Sequence, residues 1–448
     1  MTIHMRKTIG AAAGLFSAVF LVSWSFRPLS TVVQAEPAPP WGRSAPAIES
    51  RSPGMIVARS RRAVPRGPAG KPSQPPPASA QEQLPPRVPF TAAEDAAAGI
   101  PGMPDARFWA DSKTDFKNAL PKQKGPWLIL SSGGEDGAFG AGFFNGLTAA
   151  GKRLDYAVVT GVSTGALMAP FIFAGPHYDD ALRRAYTHIT AADVFEAGGT
   201  GESFVNSWPL RDLIAKEVTP ALLRDIAAQY RRGRRLFVVT TNLDAERSVV
   251  WNMGAIAAHG GEAALGLFHS VLLASSSVPG AFPPVLINVA ASGKRFQEMH
   301  VDGGVGGQFF VAPAALMAST NNYRLPATQL YVVVNTALGR DFAVVERFAP
   351  SILTQSVDMA VKADTRVMLD RAYVVAKRSG VPFFVAAIPA GFHAPSKGPF
   401  DPKYMGALFE VGLEQGRGPV PFSAAPPPYP GGSASPSSHL DEKTGAKQ

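Results

Sequence analysis

The 448-residue chain contains no cysteine. That removes disulfides, thiolate metal sites and a lipid-modified N-terminal cysteine, and it suits an exported protein that avoids unwanted oxidation. The eight histidines are scattered, with no His-Glu-x-x-His and no other ligand spacing. Catalysis by metal is therefore disfavoured, and no cofactor is expected. The glycine-rich loop at 133–142 has no Gly-Lys-Ser/Thr after it, and Glu135 stands where a dinucleotide loop needs its second glycine. A nucleotide site fails on both counts. No internal repeat is visible.

The charge is uneven. Residues 1–88 hold 11 Lys+Arg against 3 Asp+Glu, whereas the remaining 360 hold 32 against 31. The basic character belongs to the N-terminal region, and the rest lacks the basic stripe with interleaved aromatics that nucleic acid would require. Residues 1–35 read as an export signal: Arg6 and Lys7, an uncharged run from Thr8 to Trp24, then Val33-Gln34-Ala35 before Glu36. The chain would then be periplasmic or secreted. The alternative is an uncleaved N-terminal membrane anchor, since the run borders on the about 17–25 residues that span a bilayer. Residues 36–88 hold 13 of the 41 prolines and read as a disordered tether. Its arginines, Arg59, Arg61, Arg62 and Arg66, suit a membrane surface, or are simply solvated. Residues 421–448 return to Pro, Ser and Gly and read as a disordered tail.

Between them, 89–420 alternate in pattern. Strands are predicted at 127–130, 157–159, 236–240, 249–251, 330–334 and 383–388. Helices are predicted at 143–150, 179–188, 210–216, 221–230, 263–274, 352–377 and 403–415. Thr91 and Glu94 have the spacing of a capping box ahead of a short helix. Continuous apolar strands separated by helices give an α/β domain: a mostly parallel central sheet flanked by helices on both faces.

One stretch organises the chemistry. An apolar run ends in Gly161-Val162-Ser163-Thr164-Gly165, and an apolar segment rich in helix formers follows. Strand, Gly-x-Ser-x-Gly turn and helix make the layout of a nucleophile elbow, in which side chains in place of Gly161 and Gly165 would collide. Upstream, Ser131-Ser132-Gly133-Gly134-Glu135-Asp136-Gly137 lies between a strand and a helix, where backbone N–H groups converge on a spot suited to an oxyanion. Downstream, Asp302-Gly303-Gly304 puts a carboxylate on a glycine-rich turn, able to take the proton of a serine. Taken alone, that tripeptide is an ordinary turn. His393 completes a Ser…Asp…His order and offers a triad instead. His300, two residues before Asp302, would share its face on a strand and tune it, or simply pack. Asn242 and Asp244 either orient a loop near the elbow or make a strand-end turn. Phe171, Phe173, Phe282 and Met253 are core or cleft wall.

Together, the loop, the elbow and the Asp-Gly-Gly resemble the patatin-like phospholipase family over about residues 90–417. The resemblance implies a Ser163–Asp302 dyad and an oxyanion hole from Ser132, Gly133, Gly134 and Gly137. It implies no cofactor, and as substrate a phospholipid, lysophospholipid or other acyl ester. Thr240-Thr241-Asn242-Leu243-Asp244 with Val250-Trp251, and the 274–285 segment, look like the bacterial branch, where the latter shapes the acyl cleft. There are two departures from the pattern: Ser132 replaces the first of three glycines, and Glu135-Asp136 replace an arginine. They bear on substrate charge preference, unless they face solvent. They also keep open a second reading, a lipid-binding or envelope-interaction protein without activity on the same fold.

Overall fold

The structure, a computed structural model, describes residues 86–428 except 200, 319–321, 340, 341 and 343. The signal or anchor at 1–35, nearly all of the tether and most of the tail lie outside the described residues. Eleven strands are described: β1 (Arg107–Trp109), β2 (Pro126–Leu130), β3 (Val158–Val162), β4 (Glu196–Ala197), β5 (Val205–Asn206), β6 (Arg235–Asn242), β7 (Arg247–Asn252), β8 (Val285–Ala291), β9 (Lys294–Asp302), β10 (Gln329–Val334) and β11 (Phe383–Ala387). β4 and β5 form a small separate ribbon. The other nine make one sheet with helices around it.

Half of that sheet is parallel, in the order β6-β3-β2-β10-β11. β2, β3 and β10 are continuous apolar runs because both of their faces are covered. Their side chains alternate between two cores: Leu128, Leu130 and Val159 enter one, and Trp127, Ile129, Val158 and Val162 the other. The other half is antiparallel: β7 on β6, β1 on β7, and the β8–β9 hairpin on β6.

β6 decides where the site forms. β7 occupies one edge of it from Phe237 to Asn242. The opposite edge is shared: β3 pairs with it up to Val239↔Val162, and β9 takes over at Thr240↔Asp302. The residue after Val162 therefore emerges beside Asp302. A change of partner along one strand edge brings together side chains far apart in sequence.

The helix Gly137–Ala149 begins earlier than the pattern indicates, since Gly137, Gly140, Gly142 and Gly146 are weak helix formers. Packing overrides propensity. A Cβ on Gly142 would overlap the Phe409 carbonyl in the helix Pro402–Arg417, and one on Gly412 would overlap that of Phe139. The capping box forms as predicted, with the Thr91 side chain and Glu94 each taking the other's backbone N–H. The strands β1, β8 and β9 were not legible in the pattern. Both domain boundaries move outward. Arg87, assigned to the tether, makes two bonds to Asp244 at 2.9 and 2.5 Å. Phe422, assigned to the tail, lies 5.0 Å from Phe143 and 4.9 Å from Tyr331 between ring centroids. Ser423 exchanges two backbone bonds with Val385 at 2.9 and 2.8 Å. Composition made this stretch look like tail, but one aromatic and one bridge suffice to cover the free edge of β11.

Candidate active site

Each element of the site sits at the C-terminal end of a strand. β3 ends at Val162; Ser163 follows with φ 54° and ψ −125°, and the helix Thr164–Ala174 begins at once. A non-glycine residue in that region costs roughly 1–3 kcal/mol and persists only when its surroundings fix it. Here Ser275 fixes it, accepting the Ser163 N–H at 3.1 Å while its hydroxyl donates to the Val239 carbonyl at 2.7 Å. Both flanking glycines are close approaches. A Cβ on Gly161 would run into the Gly165 carbonyl, and one on Gly165 would lie 2.5 Å from the Leu130 carbonyl oxygen.

The loop after β2 lies against this turn, because Leu130 pairs with Gly161 and a Cβ on Gly137 would overlap the Thr164 hydroxyl. Gly134 takes a left-handed φ of 57°, which glycine adopts without steric cost. Among the described residues, the amides of Gly133 and Gly134 find no acceptor. The loop is held from behind. The Asn335 side chain donates to the Ser131 carbonyl at 3.0 Å, and the Thr336 hydroxyl to the Ser132 carbonyl at 3.2 Å.

Asp302 is the last residue of β9 and is buried. Its N–H donates to the Ser277 carbonyl at 2.8 Å, and its Oδ1 accepts the Gly304 N–H at 2.7 Å. Its Oδ2 is buried and has no hydrogen-bond partner. Burial pushes this carboxyl up to about 7, with the Ser163 hydroxyl and the Gly304 N–H pulling the other way. The hydroxyl is thus close enough to favour the charged form, although no bond of standard length and angle closes between them. A buried carboxylate that titrates near neutrality beside a strained serine is poised to exchange a proton with it. Gly303 is confined by the Val239 carbonyl and by Val162 Cγ1, which a Cβ would meet at 3.2 Å.

Glu135 and Asp136 do not face solvent alone. Glu135 accepts the Phe400 N–H, and Asp136 accepts the Tyr404 hydroxyl at 2.6 Å, tying the loop to the start of the last helix. His393 is exposed, and among the described residues it makes no bond to Asp302. No triad is assembled. His300 is fully buried, between Glu298 at 2.9 Å and the Thr240 hydroxyl at 2.9 Å. It is a packed residue rather than a partner of Asp302. Asn242 accepts the N–H groups of Asp244 and Ala245 at 2.9 and 3.2 Å, which makes a strand-end turn. Phe171, Phe173, Phe282 and Met253 are all buried in the core. The 274–285 segment holds the backbone at both positions, Ser275 accepting the Ser163 N–H and Ser277 the Asp302 N–H.

One residue went unnoticed in the sequence. Gln308 is buried; its Nε2 donates to the Gly304 carbonyl at 2.9 Å, and its Oε1 accepts the Ser132 hydroxyl. Its carbonyl accepts the Ser132 N–H at 2.9 Å. One side chain thus couples the aspartate turn to the glycine loop. Its only sequence signal is a polar residue among glycines and aromatics six places after the aspartate.

Sheet, strained serine, glycine loop and buried carboxylate define an α/β protein built around a nucleophile elbow. The family model described as patatin-like phospholipase matches residues 128–315 of this chain. Among solved structures, VipD from Legionella pneumophila is similar at 11% identity, covering 69% of this chain and 69% of that one with a TM-score of 0.35. A likeness that distant carries no argument about the site. No curated protein matches.

Proposed function

We propose that this protein is a serine acyl-hydrolase that cleaves ester bonds of phospholipids, lysophospholipids or related acyl lipids through a Ser163–Asp302 dyad. The observation that carries the reading is the unpaired, buried Oδ2 of Asp302 beside the strained Ser163. Asp302 takes the Ser163 proton as Oγ attacks the ester carbonyl. The free amides of Gly133 and Gly134 receive the developing oxyanion, each donor contributing about 3 kcal/mol in the transition state. Asp302 then gives its proton to the departing alcohol. In the second half, water attacks the acyl-serine, Asp302 accepts the water proton, and Asp302 returns it to Oγ as the acyl–Oγ bond breaks, the acid leaves and Ser163 is restored. A carboxyl near neutrality serves both directions, since it must be base in one step and acid in the next. With the N-terminal export signal, the reaction takes place in the periplasm or outside the cell.

The test is hydrolysis of a chromogenic acyl ester by wild type, Ser163→Ala and Asp302→Asn. The expected result is activity in wild type and a loss of at least about a thousandfold in each variant. Equal background in wild type and Ser163→Ala would instead favour a lipid-binding protein without activity.

A further inference from the structure

A chain of polar side chains runs through the sheet interior beside the site and takes no part in the hydrolysis just described. Arg107 on β1 donates to both carboxylate oxygens of Glu298, to Oε1 at 2.8 Å. His300 lies 2.9 Å from Glu298 through Nε2 and 2.9 Å from the Thr240 hydroxyl through Nδ1. The Trp251 indole N–H donates to the same hydroxyl oxygen at 2.8 Å. Glu298, His300, Thr240 and Trp251 are all fully buried.

The chemistry of the partners fixes each proton along this chain. Glu298, paired with the Arg107 guanidinium, is a carboxylate and can only accept. The proton between it and His300 therefore sits on Nε2. Burial holds the imidazole below its ordinary range, hence neutral, and Nδ1 is left bare. A bare Nδ1 accepts, so the Thr240 hydroxyl donates to it. The indole N–H is a donor only and takes a lone pair of the Thr240 oxygen. The one hydroxyl proton of Thr240 thus points at His300.

That direction matters because Thr240 stands directly opposite Asp302 across β6 and β9. The Asp302 N–H goes to Ser277 and the Leu243 N–H to the Met299 carbonyl, so Thr240 and Asp302 are a pair without mutual backbone bonds. In such a pair the two side chains share a face, with Cβ atoms about 4.5–5.5 Å apart. Yet Oδ2 of Asp302 is buried with no hydrogen-bond partner.

We propose that His300 is a positioning residue for the hydrolysis: by taking the Thr240 proton on Nδ1 it keeps that hydroxyl off Asp302 and leaves Oδ2 open to the Ser163 proton. This rests on the Ser163–Asp302 reading of the site. A hydroxyl donated to Oδ2 would occupy it and favour the charged carboxylate, making Asp302 a weaker base. Among the described residues no charged side chain acts on Asp302; burial raises it, and the Ser163 hydroxyl and the Gly304 N–H oppose that. The charged groups that face His300 are Glu298 on its own strand, Arg107 on β1 and Asp244 in the turn between β6 and β7. Asp95, in the short first helix, faces Glu298.

The pH dependence of fluorophosphonate inactivation reads Asp302 as a base, and wild type should inflect at about pH 7. His300→Phe removes the acceptor, so Thr240 turns to Asp302, and the inflection should move at least about one unit to lower pH with a slower plateau. His300→Phe combined with Thr240→Val removes the hydroxyl as well, and should bring the inflection back to within about 0.3 unit of wild type. A merely structural role for His300 would leave the single and double variants alike. An unmoved inflection in His300→Phe, or an acid-shifted one in the double variant, would overturn the proposal. A wild type with no inflection would remove the dyad, and this proposal with it. A second measurement leaves His300 in place. In nitrogen-15 spectra of histidine-labelled wild type and Thr240→Val, one histidine should stay neutral with its proton on Nε2 from about pH 5 to about pH 9. Its Nδ1 signal should move when the Thr240 hydroxyl is gone. A proton on Nδ1, or no response to Thr240→Val, would overturn the proposal whatever the His300→Phe chain does.

Discussion

On the parallel side of the sheet, β2, β3 and β10 are mostly apolar and carry no charge, and the serine and the glycine loop lie on the turns beyond their ends. On the antiparallel side, β9 carries charge through the interior. Glu298 is paired with Arg107 from β1 and bonded to His300, whose other nitrogen meets Thr240, and Thr240 in turn accepts the Trp251 indole N–H at 2.8 Å. The Arg107 guanidinium and His300 hold Glu298 below the ordinary carboxylate range against the pull of burial. The contrast shows two ways of placing a reactive group. Ser163 is placed by backbone shape, through glycines that let a strained turn close. Asp302 is placed by register: 298, 300 and 302 share one face of β9, and a slip of one residue would turn all three away.

The largest effect should come from breaking the register side. Glu298→Ala leaves the buried Arg107 without its ion-pair partner, which typically costs about 3–5 kcal/mol. Calorimetry should show a clear fall in the unfolding temperature, with reduced activity in the molecules that remain folded. An unchanged midpoint would mean that β9 is held by something else.

A smaller effect tests the link between the two sides. Gln308→Ala frees the aspartate turn from the glycine loop, so kcat should fall about tenfold with KM within about twofold. A rise in KM alone would make Gln308 part of substrate binding. The smallest effect is expected at His393. His393→Ala should keep the wild-type rate, and a large loss would restore the triad.

The same contrast explains what could be read from the sequence. The elbow, the glycine loop and the Asp-Gly-Gly turn were legible because close backbone approach demands glycine, and glycine is visible in a sequence. The parallel strands were legible as apolar runs. β9 was not, because Lys294-Arg295-Phe296-Gln297-Glu298-Met299-His300 reads as surface while its Glu298 is paired inside with Arg107, far away in the chain. The roles of Glu135 and Asp136 were hidden for the same reason: their partners at 400 and 404 lie some 265 residues on. Phe422 was lost in a proline-rich context. Charge partners and single aromatic anchors leave no local period, so only the fold shows them.

The pairing of Ser163 with Asp302 is tested most directly by the pH dependence of fluorophosphonate inactivation, with the modified residue mapped by mass spectrometry. Burial raises the Asp302 carboxyl from 3.8 to about 7, so the base form accumulates as pH rises through neutrality. The inactivation rate should climb through about pH 7 and level off, with the label on Ser163, and Asp302→Asn should react at least about a hundredfold more slowly without that inflection. A wild-type rate flat across this range, or Asp302→Asn labelled as fast as wild type, would contradict the account.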